Sequence, residues 1–339
     1  MSDVETAALE TVPLVDDRPR LLVTKHDRSD LPFRWGTRTA SFAVLGIMSL
    51  VGIFLLVQGG KALGADGPKF LTTQAWQPNS GVFGIAAVLL GTIFIALTAI
   101  VIAVPLATGT ALYISEYAPR QLKQLLITAV DLMAAVPSVV YGLWGFFLLQ
   151  PNILNVSQFL ATWLGWIPTF HVDSFDPSDP LTSPTIFTAS TFIAGIVVAM
   201  MVAPIMCSIM REVFTQAPIG EREGALALGA TRWGMIRSVV IPFGRAGMIG
   251  GTMLGLGRAL GETIAVYLII SPVFTIQPHI LQSGANSISA LIALRYSEAS
   301  PFEISALMAA GLALFILTLI VNFGASIIIS RSRSGASSD

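Results

Sequence analysis

Long apolar runs constrain this chain more than any other feature of its sequence. Six segments are long and apolar enough to cross a bilayer, whose hydrocarbon core is about 30 Å thick and takes about 20 apolar residues per helix. They are residues 39–59, 83–112, 124–149, 186–210, 246–271 and 304–329. Only 12% of the residues are charged, against about 25% in an ordinary soluble domain. The sequence therefore predicts an all-α, polytopic membrane protein with six transmembrane helices, and it argues against a soluble enzyme.

Basic residues predict how these spans are oriented, because Lys and Arg collect in short cytoplasmic loops. With the N-terminus inside, the inner segments carry 15 of the 19 bases and the outer segments carry three, which are Lys61, Lys69 and Arg295. We therefore expect both termini in the cytoplasm. The predicted parts are an N-terminal extension (residues 1–38), a six-helix membrane domain (39–330) and a C-terminal tail (331–339).

The charge, cysteine and histidine content limits which partners, disulfides and metal sites this chain can have. The net charge of −1 provides no basic field for nucleic acid, so membrane lipid is the expected surrounding. A single cysteine, Cys207, excludes an internal disulfide. The three histidines, His26, His171 and His279, are far apart in the sequence, and no metal site is predicted.

The cytoplasmic loop 211–245 has the sequence pattern of two short helices joined by a tight turn. Pro218 can open the first helix, Gly229 can end it in a left-handed cap, and Thr231 can cap the second helix, which Pro242 would stop. This loop is too small to form its own core. A DNA-reading motif is disfavoured because membrane spans hold both ends, so a cap on the helix bundle and a docking site for a cytosolic subunit remain.

The same loop resembles the EAA loop of ABC importer permeases. The resemblance rests on Glu223-Gly224-Ala225, on Gly229 four residues later, and on Val239-Val240-Ile241-Pro242. Gly224 stands where the family has alanine. The family's coupling helix sits in a cleft of the ATPase, which implies that Glu223, Ala225 and Gly229 are ATPase-coupling positions. The chain has no G-x-x-x-x-G-K-[ST] phosphate loop, so we expect no cofactor of its own and ATP use by a partner subunit.

Two charged residues, Arg258 and Glu262, fall midway along the fifth predicted span. A charge at the bilayer centre costs about 2.5 to 3.5 kcal/mol on insertion scales, and a spacing of four places both side chains on one helix face. The pair is therefore either a buried structural ion pair or part of a wet cavity in which the guanidinium meets an anion. Asp131, in the third span, is expected to pair with a base or a hydroxyl.

A second resemblance is carried by Gly257-Arg258-Ala259-Leu260-Gly261-Glu262-Thr263-Ile264-Ala265-Val266, and by the run from Val136-Pro137-Ser138 through Tyr141-Gly142 to Gly145. Over about residues 38–330 the chain resembles the C-type permease subunit of bacterial phosphate-specific ABC importers, which implies the type I (MetI-like) permease architecture. The resemblance ties Arg258 and Glu262 to phosphate passage. Ser138 and Tyr141 could add hydroxyls to the substrate pathway.

This resemblance implies a transporter subunit in the bacterial plasma membrane, without catalytic residues, that imports inorganic phosphate by alternating access. The implied partners are an A-type permease subunit, two cytosolic ATP-binding subunits and an extracytoplasmic phosphate-binding protein. Two alternatives stay open: a permease for another oxyanion such as molybdate or sulfate, and an ATP-independent anion channel or carrier.

Overall fold

The computed structural model describes residues 30–173, 175–176 and 183–333. The chain divides into two compact units, residues 1–50 and residues 51–339. The predicted N-terminal extension lies outside the described residues up to position 29, as does the predicted tail from position 334. In the described part of the first unit, residues 32–50 are helical, and every side chain is exposed.

The described residues are mainly helical, which confirms the predicted all-α membrane class. The helices are α1 (Asp30–Asp66), α2 (Ala86–Leu112), α3 (Arg120–Ala135), α4 (Ser138–Trp144), α5 (Gln150–Asn152), α6 (Leu154–Leu164), α7 (Thr191–Thr215), α8 (Ile219–Ala227), α9 (Arg232–Met235), α10 (Ile241–Leu260), α11 (Ile264–Ile269), α12 (Ile288–Arg295) and α13 (Pro301–Arg333). Short 3-10 turns occupy Gly67–Leu71, Pro78–Ser80 and Pro184–Phe187, and π-helical turns occupy Tyr113–Tyr117, Gly145–Leu149 and Ile236–Val240. Two short strands, β1 (Trp76–Gln77) and β2 (Val82–Phe83), pair antiparallel with Trp76 opposite Phe83.

Five continuous helical stretches of the described residues are long and apolar enough to span a membrane. They are Pro32–Leu71, Ala86–Tyr117, Thr191–Thr215, Arg232–Leu260 and Pro301–Ile328. A sixth span is obtained only if the bent pair Arg120–Ala135 and Ser138–Asn152 is counted as one. The third predicted span, residues 124–149, is sharply bent: its two halves meet at 91°. Pro137 lies in the break, where its ring prevents a regular helix.

The main core lies between α2 and α7. Small side chains recur every fourth residue on α2, at Ala99, Ala103, Ala107 and Ala111, and all four are buried. This spacing places them on one helix face, and small residues let membrane helices approach closely. Met206 and Met210 of α7 fill the same cluster. The resulting pair of tightly packed helices is the scaffold on which α3, α10 and α11 are placed.

Candidate functional site

The fifth predicted span is broken at the motif that carries its charges. Helix α10 ends at Leu260, Gly261 is not helical, and the short helix α11 starts at Ile264. The expectation that Arg258 and Glu262 share one face of a continuous helix is therefore wrong. Arg258 lies in the last turn of α10, whereas Glu262 lies in the break. Glycine has the lowest helix propensity after proline, and four glycines at positions 251, 255, 257 and 261 weaken this end.

Glu262 is buried in the break and organises it. Its carboxylate Oε1 accepts a hydrogen bond from the backbone nitrogen of Ala265 at 3.2 Å, so it caps the start of α11. The backbone oxygen of Glu262 accepts a hydrogen bond from the Ser289 hydroxyl at 2.6 Å. Ser289 belongs to α12, and the sequence contained no signal for this contact because 27 residues separate the two positions.

Arg258 is exposed on the surface of this single chain. Among the ion pairs of the described residues, none joins Arg258 to Glu262, so the two charges do not neutralise each other by direct contact. Arg258 lies in the last turn of α10, four residues before Glu262 and six before the start of α11. Close to the same turn, Gly257 faces the Asn322 side chain of α13, a polar neighbour that the sequence patterns did not identify.

Helix α4 contributes the other two predicted pathway residues. Ser138 and Tyr141 lie three residues apart, which puts them on one side of α4. The Tyr141 hydroxyl donates a hydrogen bond to the Met133 backbone oxygen at 2.9 Å and so ties the two halves of the bent span together. A Cβ atom at Gly142 would lie only 2.9 Å from the Cα atom of Ala265, so α4 and α11 are in close backbone contact.

The predicted pathway residues lie on elements that adjoin the break before α11. Arg258 is in the last turn of α10 and Glu262 is in the break. Helix α4, which carries Ser138 and Tyr141, packs against α11. A guanidinium has five N–H donors in a planar fork that matches tetrahedral oxyanions. An ionised carboxylate at Glu262 would repel a second anion nearby. The exposed Arg258 guanidinium therefore has the chemistry to bind an oxyanion.

The loop at residues 211–245 forms the predicted helix, turn and second helix. Helix α8 starts directly after Pro218, and Gly229 has a left-handed φ of +86°. The amide of Ala230 donates to the Ala225 oxygen at 3.1 Å and the amide of Gly229 donates to the Leu226 oxygen at 2.9 Å, which is a Schellman cap. The Thr231 hydroxyl accepts from the Gly234 amide at 3.1 Å and caps α9.

The expected stop at Pro242 is wrong. The chain stays helical from Arg232 to Leu260 because Pro242 lies at the start of α10 and follows the π-helical turn Ile236–Val240. A wide π turn accommodates the missing amide of a proline. The second loop helix is therefore continuous with the fifth span, whose last turn carries Arg258.

The loop at residues 211–245 has one face packed against the protein and one face that no other described residue covers. Met235 and Ile236 are buried in the main core, and Ala225 packs partly against it. Glu223 and Gly229 are exposed, and so are five large apolar side chains: Ile219, Leu226, Leu228, Trp233 and Phe243. Exposed apolar groups beside charges are typical of a surface that binds another protein.

Two further predictions concern polar side chains in and near the spans. Asp131 accepts a hydrogen bond from the Ser208 hydroxyl at 3.0 Å, which confirms the expected pairing with a hydroxyl. His171 and His279, far apart in the sequence, lie close together in the fold: their ring centroids are 5.4 Å apart and both rings contact Asp173. No group of three or more potential metal ligands is formed by the described residues.

Comparison with known sequences supports a single family. The pattern of the family described as binding-protein-dependent transport system inner membrane component matches residues 103–334. The phosphate transport system permease protein PstC 2 of Mycobacterium tuberculosis is 38% identical over 312 residues, covering 91% of this chain and 94% of that protein. The PstC protein of Mesorhizobium japonicum is 35% identical over 334 residues, covering 98% and 100%.

Comparison with solved structures supports the same architecture. A chain in the crystal structure of a bacterial alginate ABC transporter, solved with an alginate pentasaccharide-bound periplasmic protein, superposes with a TM-score of 0.58. It is 16% identical in sequence, and the match covers 89% of this chain and 96% of that chain. At this identity the likeness concerns the fold alone, which is the type I ABC importer permease fold.

Proposed function

The chain belongs to the inner membrane component family of binding-protein-dependent transport systems, and on that premise we propose that it is the C-type permease subunit of an ATP-driven importer of inorganic phosphate. The relatives are permease proteins, so the chain is a multi-pass inner membrane permease subunit and not an enzyme. The resemblance to C-type permeases is thereby confirmed. What remains to be argued is the substrate, its pathway and the energy coupling.

One observation carries the substrate assignment: Arg258 is exposed at the end of α10, and Glu262 is buried in the adjoining break. An Arg side chain facing lipid is costly, and such residues face a bundle interior or a watery path. An oxyanion passing between subunits would relieve that cost. The relatives named as phosphate transport permeases support phosphate as that oxyanion.

Energy coupling is assigned to α8 and the turn that follows it. The exposed Glu223, with Leu228 91% exposed beyond the helix, presents a mixed surface of the kind that binds a protein. We propose that one cytosolic ATP-binding subunit binds this surface and that a second binds the corresponding surface of the A-type permease subunit. Their closure would displace α8, and the continuous helix Arg232–Leu260 would transmit the displacement to Arg258.

The proposed cycle is alternating access. Phosphate is delivered by an extracytoplasmic binding protein, passes the region of Arg258, Glu262, Ser138 and Tyr141 between the two permease subunits, and is released inside. Both termini are proposed to be cytoplasmic because basic residues dominate the inner loops. A thiol introduced at the exposed Ser80 should then react with a membrane-impermeant maleimide in whole cells, and one introduced at Gln216 should not. The buried Cys207 gives little background.

The deciding experiment is purification from native membrane followed by reconstitution into liposomes. We expect recovery of a second permease and an ATPase with this chain, and ATP-dependent uptake of labelled phosphate that unlabelled phosphate suppresses. Suppression by molybdate or sulfate at lower concentration than by phosphate would identify another oxyanion. Anion flux through the purified chain alone, without ATP, would indicate a channel or carrier and refute the importer.

A further inference from the structure

Arg222, in the middle of α8, is held by two groups from other helices. Its Nη1 lies 3.2 Å from Oε1 and 3.3 Å from Oε2 of Glu116. Its Nη2 donates to the backbone oxygen of Phe214. The pair is shielded from water, since 19% of the Arg222 side chain and 5% of the Glu116 side chain are exposed.

The two acceptors belong to the ends of the core helices. Glu116 lies in the π-helical turn Tyr113–Tyr117, which continues α2, and Phe214 lies in the last turn of α7. The Phe214 ring is fully buried and packs where a Cβ atom on Gly244 of α10 would come within 2.5 Å of it. One guanidinium therefore fastens α8 to α2 and to α7, at a point where α7 touches α10.

The neighbouring residue shows what this fastening does. Glu223 follows Arg222 on α8, and successive helix residues point about 100° apart. Arg222 is directed into the protein, while Glu223 is exposed on the proposed docking face. A shielded ion pair is weak evidence for stability, because apolar replacements often stabilise as well or better. The directional bonds of Arg222 hold α8 against two particular helix ends. An apolar contact would not fix this geometry.

We propose that Arg222 is a positioning residue that makes α8 and the adjoining ends of α2 and α7 move as one rigid body during the transport cycle. The proposal rests on the proposed coupling role of the loop. A push on α8 then reaches the core pair of helices directly, in addition to its path along the continuous helix Arg232–Leu260. When this ion pair is lost, the ATPase can still hydrolyse ATP, but less of the resulting movement of α8 reaches the spans.

The first test replaces Arg222 by lysine in the full importer complex, reconstituted in liposomes. Lysine keeps the charge, but its single ammonium does not reproduce a planar fork that bonds two acceptors in fixed directions. We expect normal assembly with the ATPase and about threefold or more ATP hydrolysed per phosphate imported, a range typical of positions that carry coupling. Arg237→Lys is the matched control, because Arg237 is an exposed base of the same loop and should leave the ratio unchanged.

Each result of this test has a defined meaning. An unchanged ratio in Arg222→Lys overturns the proposal, and so does a loss of assembly that accounts for the whole loss of transport, because that is a structural role only. Wild-type complex that imports no phosphate with ATP refutes the proposed function instead, and it does so before any variant is compared.

The second test makes the fastening covalent. In a Cys207→Ala background, Glu116→Cys and Arg222→Cys are joined by a short bismaleimide after assembly. The variant without the linker should show the raised ratio of ATP to phosphate, and the cross-linked complex should return toward the wild-type ratio, because α8 again moves with α2. A cross-linked complex that binds and hydrolyses ATP but imports no phosphate would show that α8 must separate from α2, and would overturn the proposal.

Discussion

Glu262 accepts a hydrogen bond at its Oε1 from the Ala265 amide across 3.2 Å, at the break between α10 and α11. The same Ala265 is in close backbone contact with Gly142 of α4. The carboxylate therefore links the end of the helix that carries Arg258 to the helix that carries Tyr141. Three features therefore meet at this break: the charge of Arg258, the cap that Glu262 provides for α11, and the close packing of Gly142 against Ala265. Each of them can be tested separately.

Arg258 provides the test of the charge. Replacing it by glutamine removes a charge-assisted interaction worth about 1.5 to 3 kcal/mol, so phosphate uptake should fall about tenfold or more. Arg245→Gln, on the exposed surface of the same helix, is the control and should transport normally. Labelled-phosphate uptake at matched protein level is the measurement. Full uptake by Arg258→Gln would rule out a role in the pathway.

Two substitutions of Glu262 test its negative charge and its helix-capping hydrogen bond separately. Glutamine keeps an oxygen that can accept from Ala265, whereas alanine does not, and loss of a helix cap costs about 1 kcal/mol. We expect Glu262→Ala to lower the melting temperature of the purified complex and Glu262→Gln to lower it less. Both variants should impair transport, since both lose the negative charge. If the Glu262→Ala complex has the same melting temperature as the wild-type complex, the cap is not a stabilising contact.

Glu223 tests the docking face. Because its side chain is exposed, Glu223→Lys should fold and insert normally but lose binding-protein-stimulated ATP hydrolysis, or lose the ATPase on purification. Glu221→Lys is the control, since it lies two residues earlier and points about 200° away around α8. Equal behaviour of the two variants would place the ATPase contact elsewhere.

Gly229 tests the turn after α8. Its φ of +86° disfavours any residue with a Cβ by about 1 to 2 kcal/mol, although nothing lies within 4 Å of the added atom. Gly229→Ala should therefore weaken coupling through the backbone alone, and Gly229→Asn should weaken it less. Gly224→Ala, equally open but helical, should be neutral or slightly stabilising. A Gly229→Ala variant with wild-type ATP-coupled uptake would show that the left-handed cap does not matter.

Gly142 tests the contact of α4 with α11. A Cβ atom there would lie 2.8 Å from Leu268 Cδ1 and 2.9 Å from Ala265 Cα, and overpacking of this kind costs about 1 to 3 kcal/mol. Gly142→Ala should reduce both stability and transport. Gly109→Ala on α2 meets nothing within 4 Å and should be silent. Thermal unfolding of the two variants in detergent measures the difference, and identical curves would contradict the close contact.

Local signals in the sequence were sufficient for several features. The apolar runs predicted the membrane class because hydrophobic length is a property of a segment by itself. The turn at Gly229 and the cap at Thr231 were predictable because left-handed backbone and N-caps select particular residues. Residue spacing also supported the family resemblance, which the comparisons confirm.

Other features depended on tertiary structure. A hydropathy window does not report where a helix breaks, so the break at Gly261 was missed, and Pro242 was wrongly expected to end a helix.

By itself, therefore, the sequence determined the membrane environment, the helical class, the family and the local helix caps, since these features depend on residues that are near one another in the chain. Tertiary structure alone decided that Arg258 is exposed while Glu262 is buried. It also decided that Arg222 meets Glu116, 106 residues away. Such a contact arises when α2 and α7 pack through their small residues and bring distant ends together, and no local pattern encodes that distance.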